Sequence, residues 1–275
     1  MKLKFTGIKR KEIYSPNHIT NDYQILLKTS EVLKELGHDV EILEESYIET
    51  HDIDDKIIFS MAQGQAGLLR LQEFENNGAM IINTPTSALN SYRINMINLL
   101  TEAAVPFPKS VILEDFNQAD SIINQFPKAK LWLKRGDVHA EHKEDVTLVY
   151  SKNELDTTLE EFYKRGIKRT VIQEHLPGDT IKFYGVLGTG FFHWYYLNGH
   201  DYVEFDLDEL KELAFRSAEV LGLDIFGGDV IVSPQGTLKI IDINDWPSFA
   251  PIRDEAAKQI GQCIHRKALC YVEQN

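Results

Sequence analysis

The sequence predicts an α/β protein that begins as a parallel layered sheet and turns to α+β in its C-terminal half. Three observations carry this. Over residues 1–85, short Val/Ile-rich runs alternate with amphipathic stretches, the pattern of strands joined by crossover helices. Near the other end, residues 226–249 (FGGDVIVSPQGTLKIIDINDWPSF) form two apolar runs around Pro234-Gln235-Gly236, the pattern of an antiparallel hairpin. A chain of 275 residues holds one large or two to three small domains. The division predicted is 1–85, 86–170 and 171–275.

Composition narrows the function classes. With 43% hydrophobic and 26% charged residues the chain reads as an ordinary soluble globular protein. A net charge of −13 counts against a nucleic-acid-binding or anionic-membrane surface, and against a polyanionic second substrate. The N-terminus has no apolar signal region and no run is long enough to span a bilayer, so a cytoplasmic location is expected. Cys263 and Cys270, seven apart in a C-terminal helix, read as buried thiols in a reducing compartment. Oligomeric state is open, a homo-oligomer included.

In chain order, residues 3–10 read as a strand, and 21–36 as a helix with Ile25, Leu26, Val32, Leu33 and Leu36 on its apolar face, ended by Gly37. Strands follow at 38–43, 56–60 and 79–83, with a helix over 63–77 stopped by Gly78. The Gly64-Gln-Ala-Gly67 turn reads as plain turn geometry, with a ligand anion at the helix N-terminus as the other option. A helix from Pro85, capped by Thr86 or Ser87, runs through Arg93 to Ala103 until Val105-Pro-Phe-Pro stops it. Next come a strand at 110–113, a helix around 120–125 and a strand at 130–134. Alternation sends Leu131 and Leu133 one way, Trp132 and Lys134 the other. A lysine ending an apolar strand is desolvated unless an anion meets it, which makes Lys134 a candidate ligand for one. After loop 135–145 come a strand at 146–150 and a helix over 153–165. A further strand ends at Gln173-Glu174-His175-Leu176, and a Pro-Gly turn leads to a strand from Asp179. An aromatic strand at 190–196 puts Phe191, His193 and Tyr195 on one face; a helix capped by Asp206 or Asp208 runs to Leu221, and a last helix starts near Arg253.

The hairpin carries the chemistry. A turn centred between Gln235 and Gly236 pairs Val232 with Lys239, Val230 with Ile241, and Asp229 with Asp242. Like charges directly opposed, with Cβ atoms roughly 5 Å apart, destabilise a sheet. Asn244 joins the same face, so three hard oxygen donors converge, a set that suits Mg²⁺.

Asp229, then Asp242 and Asn244 followed by Asp-Trp-Pro, resemble the metal-binding end of ATP-grasp enzymes; Ser248 stands where that pattern usually has glycine. With the other ordered motifs the resemblance spans residues 85–255. It implies an ATP-grasp fold, an N-terminal α/β layer followed by two subdomains that clamp ATP, with Mg²⁺ (Mn²⁺ possible) held by Asp229, Asp242 and Asn244. It implies further that Lys134 contacts the α/β phosphates and that Arg93 stands where a helix lysine touches them. The glycine-poor loop 135–145 takes the place of a phosphate-covering loop, where His139 and Arg135 can donate. Gln173, Glu174, His175 and Leu176 match the adenine linker, Asp179 the ribose acid, and Lys182 a basic residue near the γ-phosphate or acyl phosphate. Arg253 is placed to meet a substrate carboxylate.

The implied activity is an ATP-dependent carboxylate–amine ligase, similar to D-alanine ligases and ribosomal-protein glutamate ligases. Small-molecule acid and amine substrates would bind between the N-terminal layer and the hairpin. Other strings, such as Val-Ile-Gln-Glu-His and Lys-Phe-Tyr-Gly-Val, look like inositol polyphosphate kinases, with Arg93, Arg135, Lys143 and Lys182 as a basic cluster. A nucleotide-binding regulator without chemistry is the third reading.

Overall fold

The computed structural model describes all residues except 16–18, 115, 120, 121, 123, 127–129, 137–141, 199–201 and 275; for 19, 117 and 143 only the backbone is described. The helix expected around 120–125 falls largely outside this set, as does His139.

The N-terminal layer contains β1 (Lys4–Lys9), α1 (Ile19–Glu35), β2 (Asp39–Glu44), α2 (Glu45–Ile48), β3 (Ile57–Ser60), α3 (Gln65–Asn76) and β4 (Met80–Ile82). Its strands are all parallel in the order β2-β1-β3-β4. Gly37, with φ +90°, follows α1 as the sequence predicts. The N-terminus of α3 takes the protein's own anion. Glu45, fully buried, accepts from the Gly64 amide at 2.6 Å and the Lys11 amide at 3.0 Å. A Cβ on Gly64 would stand 2.6 Å from Glu45 Oε1, so glycine is required there.

The helix expected over residues 85–103 is two helices, α4 (Pro85–Asn90) and α5 (Arg93–Glu102). With Pro85 at the first helical position the cap moves back to Thr84, whose hydroxyl accepts from the Ser87 amide at 3.1 Å. The break falls at Tyr92, whose backbone is extended and whose ring is buried in the N-terminal core. Arg93 thereby becomes the first residue of α5.

The central sheet contains β5 (Ser110–Leu113), β6 (Leu131–Arg135), β7 (Val146–Val149) and, after α6 (Lys152–Lys164), β8 (Thr170–Glu174). The order is β5-β8-β6-β7, antiparallel throughout. The third sheet contains β9 (Asp179–Val186), β10 (Phe191–Asn198) and, after α7 (Leu207–Leu221), β11 (Ile225–Val232) and β12 (Leu238–Asp245), with α8 (Arg253–Gln274) closing the chain. Its order is β10-β9-β11-β12, again antiparallel. Asp206 caps α7, accepting from the Asp208 amide at 2.8 Å. Leu210, Leu213 and Ala214 of α7 then pack on Phe183, Phe226 and Val230.

Helix α8 departs from the predicted division. Ala257, Ile260, Cys263 and Ile264 share a core with Phe5, Ile25, Leu26 and Phe59, so the last helix of the C-terminal segment covers the N-terminal sheet. Ala268 is the helix's last fully buried residue, Tyr271 and Val272 pack half-buried against the same core, and Cys270 is exposed rather than buried. Among the described residues no helix is long and apolar enough to cross a membrane.

A buried polar latch joins the two ends of the chain. Asn83 Nδ2 donates to Asp245 Oδ1 at 2.6 Å and to the Ile225 carbonyl at 2.7 Å, while its Oδ1 accepts from the amides of Asp224 (2.8 Å) and Ile225 (3.0 Å). Gln63 Nε2 donates to Asp245 Oδ2 at 3.3 Å. Arg10 spans the same joint, from Asp22 (2.8 Å) to the carbonyls of Asp245 (3.0 Å) and Trp246 (3.2 Å). Burial pushes the Asp245 carboxyl up to about 6, against the pull of Arg10 and of the Asn83 and Gln63 amides. Replacing Asn83 by Ala strands a carboxylate and two backbone amides out of water. We expect a loss of about 3 kcal/mol in urea unfolding with little change in the m-value.

Candidate active site

The hairpin β11–β12 sets the site through a mismatch in register. Its loop holds three residues: the Ser233 amide donates to the Thr237 carbonyl at 2.9 Å, and Gly236 takes φ +81°. This loop pairs Val232 with Leu238 and Val230 with Ile240, one residue off the centred turn that the sequence predicts. A bulge at Ile241 then restores the expected pair, Asp229 opposite Asp242. Had the loop's register continued, Asp229 would oppose Ile241, and Asp242 would oppose Gly228 on the core side. The extra residue turns Asp242 to the open face and lets Ile241 line the adjoining cleft.

Four residues now stand in one row across the sheet: Tyr195 on β10, Lys182 on β9, Asp229 on β11 and Asp242 on β12. Asn244, opposite Gly227, extends the acidic end. Lys182 Nζ donates to Asp229 at 3.0 Å (Oδ1) and 3.3 Å (Oδ2). Burial pushes the Asp229 carboxyl up; Lys182 pulls it down, and Asp242 pushes it up again. Burial works against the charge of Lys182, yet the two acids, Asp229 foremost, hold it above the ordinary lysine value. Apposed carboxylates with an amide oxygen beside them are a hard-oxygen donor set that fits Mg²⁺ or Mn²⁺.

The central sheet supplies cations from the other side of the cleft. As alternation predicts, Leu131 and Leu133 enter the subdomain core, while Trp132 and Lys134 line the cleft. Lys134 is 8% exposed, and among the described residues no side chain accepts a hydrogen bond from it. Burial, then the neighbouring Arg93 guanidinium, lower its pKa to about 8, against the pull of Asp242 and Asp229. Arg93 donates from Nη1 to the Arg135 carbonyl at 2.7 Å and leaves its buried Nε without a partner among the described residues.

Two cavities meet at the acid pair. One of about 360 Å³ lies between Trp132 and Lys134 on the central sheet and Ile231 and Ile241 on the third, edged by the linker 173–176. The other, about 570 Å³, runs from Lys182 and Asn244 to Asn21, Asp22 and Gln63 of the N-terminal layer. It lies between layer and hairpin, as expected for a second substrate.

Arg93, Lys134, Gln173, Glu174, His175 and Leu176 are thus brought together around the first cavity, and Lys182, Asp229, Asp242 and Asn244 around the second. Glu174 Oε1 accepts from the Lys109 amide at 2.9 Å and Gln173 donates to Ser110 Oγ at 2.9 Å, bonds that fix the linker.

Three predicted residues are placed elsewhere. Asp179 is an odd number of positions from Lys182 and faces away from the cleft, accepting from the Val203 amide at 3.0 Å, while Thr180 lines the cavity. Arg135 shares the face of Leu133 and pairs with buried Asp145 at 3.7 Å. Lys143, the fourth member of the basic cluster in the kinase reading, has its side chain outside the described residues; of the other three, Arg93 and Lys182 line the second cavity and Arg135 does not. Arg253 donates to Asn21 Oδ1 at 2.7 Å and reaches the second cavity only through it. Residues that sequence reasoning missed include Arg10, Asn21, Asp22 and Gln63, brought from distant segments, and Tyr184 and Tyr195. Only the tyrosines carried a signal, since strand alternation puts Tyr184 on the face of Lys182.

No protein-family model matches the chain, and no curated protein matches it in sequence. Solved structures do match over nearly its whole length. It is similar to a D-alanine–D-alanine ligase from Bacillus anthracis complexed with ATP, with a TM-score of 0.74, 13% identity, and 99% of this chain and 100% of that chain covered. It is similar to a RimK domain ATP-grasp protein from Sphaerobacter thermophilus (TM-score 0.74, 14% identity, 95% and 99% covered). A third match is the ATP-grasp ligase PsnB complexed with a minimal precursor (TM-score 0.64, 14% identity, 97% and 99% covered). The chain therefore has the ATP-grasp fold.

An anion at Lys134 requires the ammonium form. Below pH 8 the lysine is already charged; above it, binding must take up a proton. We expect ATP affinity to be flat below about pH 8 and to fall by up to tenfold per pH unit above it, with Lys134→Met weaker and pH-independent over that range, as read by calorimetry.

Proposed function

We propose that this chain is an ATP- and Mg²⁺-dependent ligase that activates a small-molecule carboxylate as its acyl phosphate and joins it to an amine. One observation carries the reading. The row Lys182-Asp229-Asp242, with Asn244, sits where a nucleotide-sized cavity opens into a second cavity. An enzyme that moves a phosphoryl group between two bound molecules needs its charge-neutralising groups at that junction.

In this reading Asp229, Asp242 and Asn244 hold the divalent ion, which supplies charge neutralisation on the phosphates. Lys134 and Arg93 meet the phosphates from the opposite sheet, and the linker 173–176 meets the base between Trp132 and Ile231/Ile241. Lys182, reaching into the second cavity, stands beside the γ-phosphoryl group and the acid that receives it. The chain supplies no nucleophile of its own. Two of the structural neighbours are ligases, which supports this reaction class over a kinase, as does the outward turn of Arg135. The partners are then small acids and amines, not nucleic acid or membrane.

Hydroxylamine tests the reading, because it captures an acyl phosphate as a hydroxamate. With Mg²⁺-ATP, hydroxylamine and a metabolite extract, the protein should release ADP and phosphate and form at least one hydroxamate. Asp242→Asn should slow this about 100-fold. A metabolite carrying a stable phosphoryl group, with no hydroxamate and no free phosphate, would overturn the ligase in favour of a kinase.

A further inference from the structure

We propose that the paired hydroxyls of Tyr184 and Tyr195 form the subsite for the acid substrate, donating a hydrogen bond to one of its carboxylate oxygens beside Lys182. The identity of that acid as the reacting group rests on the ligase reading; the donor site itself rests on the geometry.

The two tyrosines hold one more donor than their mutual bond uses. Tyr184 and Tyr195 face the second cavity from adjacent strands, their hydroxyl oxygens 3.4 Å apart, and these oxygens are each other's only hydrogen-bond partners among the described residues. Two hydroxyls carry two O–H hydrogens, and a mutual bond uses one. The other has no acceptor among the described residues and is left for whatever fills the cavity. Burial holds the Tyr184 hydroxyl above the ordinary tyrosine range, so it remains a neutral donor at neutral pH.

Packing then fixes where that donor sits. Tyr184 is 2% exposed, its ring 5.0 Å from Phe249 and 6.3 Å from Tyr195. The neighbouring position on β11 is Gly227, where a Cβ would stand 2.9 Å from Tyr184 Cδ1 and 2.8 Å from Pro247 Cγ. Removing that side chain makes room for the ring, and the hydroxyl is delivered in line with Lys182.

Position also selects the acceptor. The tyrosines line the second cavity and not the first: Tyr195 stands across Lys182 from the acid pair, and Tyr184 lies two residues along β9, in the row of Gly227 and Asn244. Of the cations lining this cavity, Lys182 bonds to Asp229, Arg10 to Asp22 and three carbonyls, and Arg93 to the Arg135 carbonyl, with its Nε unpartnered among the described residues. A carboxylate entering beside Lys182 finds the tyrosine O–H as a neutral, uncommitted donor. During transfer the amine nitrogen bonds to the acyl carbon, the bond from that carbon to the phosphate oxygen breaks, and phosphate leaves with the electron pair and the amine proton. The hydroxyl keeps its own proton throughout and stabilises the oxyanion that develops on the acyl oxygen.

Acetate is the probe. Its affinity would be measured by saturation-transfer NMR at constant ionic strength with saturating Mg²⁺-ADP, in wild type and in Tyr184→Phe, Tyr195→Phe and the double variant. Phenylalanine keeps the ring packing, and unfolding midpoints check that it does. We expect saturable acetate binding in wild type, weakened about fivefold or more in the double variant, with Mg²⁺-ADP and Mg²⁺-ATP affinities unchanged. Equal acetate affinity in all four proteins, or no saturable binding in wild type, would overturn the subsite. Weakened Mg²⁺-ATP binding with unchanged acetate would assign the donor to a phosphate oxygen and overturn it as well. Tyrosine-dependent acetate binding without hydroxamate formation would keep the subsite and remove the ligase; hydroxamate formation with tyrosine-independent acetate would do the reverse.

Discussion

The structure depends on holding Asp229 and Asp242 side by side in a poorly solvated place. Two carboxylates opposed on neighbouring strands repel, and burial adds to the penalty, as the raised Asp229 carboxyl records. Much of the surrounding architecture answers this charge. Lys182 sits next in the row and bonds to Asp229, while Lys134 and Arg93 face the pair from another sheet. The lysines are themselves unequal. Lys182, in contact with an acid, is held charged, whereas Lys134, crowded by a guanidinium, gives up its proton more readily. A cleft with this distribution suits a cation between the acids and an anion against Lys134, the two charges that a metal–triphosphate carries together.

The placement of those groups follows from how the three sheets are joined. The N-terminal layer and the third sheet are bound by the Asn83–Asp245 latch, by Arg10 and by α8, whose apolar face is shared with the first sheet. These contacts bury polar atoms with nearly every bond made, so they define one relative position of the two layers. The second cavity is therefore walled by elements that are fixed to each other. The central sheet meets the rest through α5 and the linker 173–176, and it brings Trp132 and Lys134 over the first cavity.

Much of this was legible in the chain because it is local. Alternation along β6 needed only strand periodicity, whereas the pairing of Asp229 with Asp242 was reached through a turn one residue off, which the bulge at Ile241 makes good. What the sequence hid was non-local or set by single steps in register. The broken helix at Tyr92 depends on a ring being drawn into another layer's core, which no periodicity within residues 85–103 reveals. Asp179 looked like a ligand because it follows the linker, but its distance from Lys182 is odd, and a strand cannot send both to one face. Arg135 failed for the same reason, one residue past Lys134. Arg10, Asp22 and Gln63 reach the site from segments over 150 residues distant from the hairpin in sequence, where only the fold relates them.

The bulge at Ile241 also separates two parts of the hairpin that would otherwise be rigidly linked. In a regular hairpin the number of residues in the loop dictates every pair down the ladder, so an insertion or deletion at the tip would slide one acid past the other. Here the slack is taken up between Lys239 and Asp242. A deletion of one residue at the tip can be absorbed by the loss of the bulge, with the acid pair unmoved. The tip at Pro234-Gln235-Gly236 is thus free to diverge among descendants of this chain while the acid-bearing end stays in register.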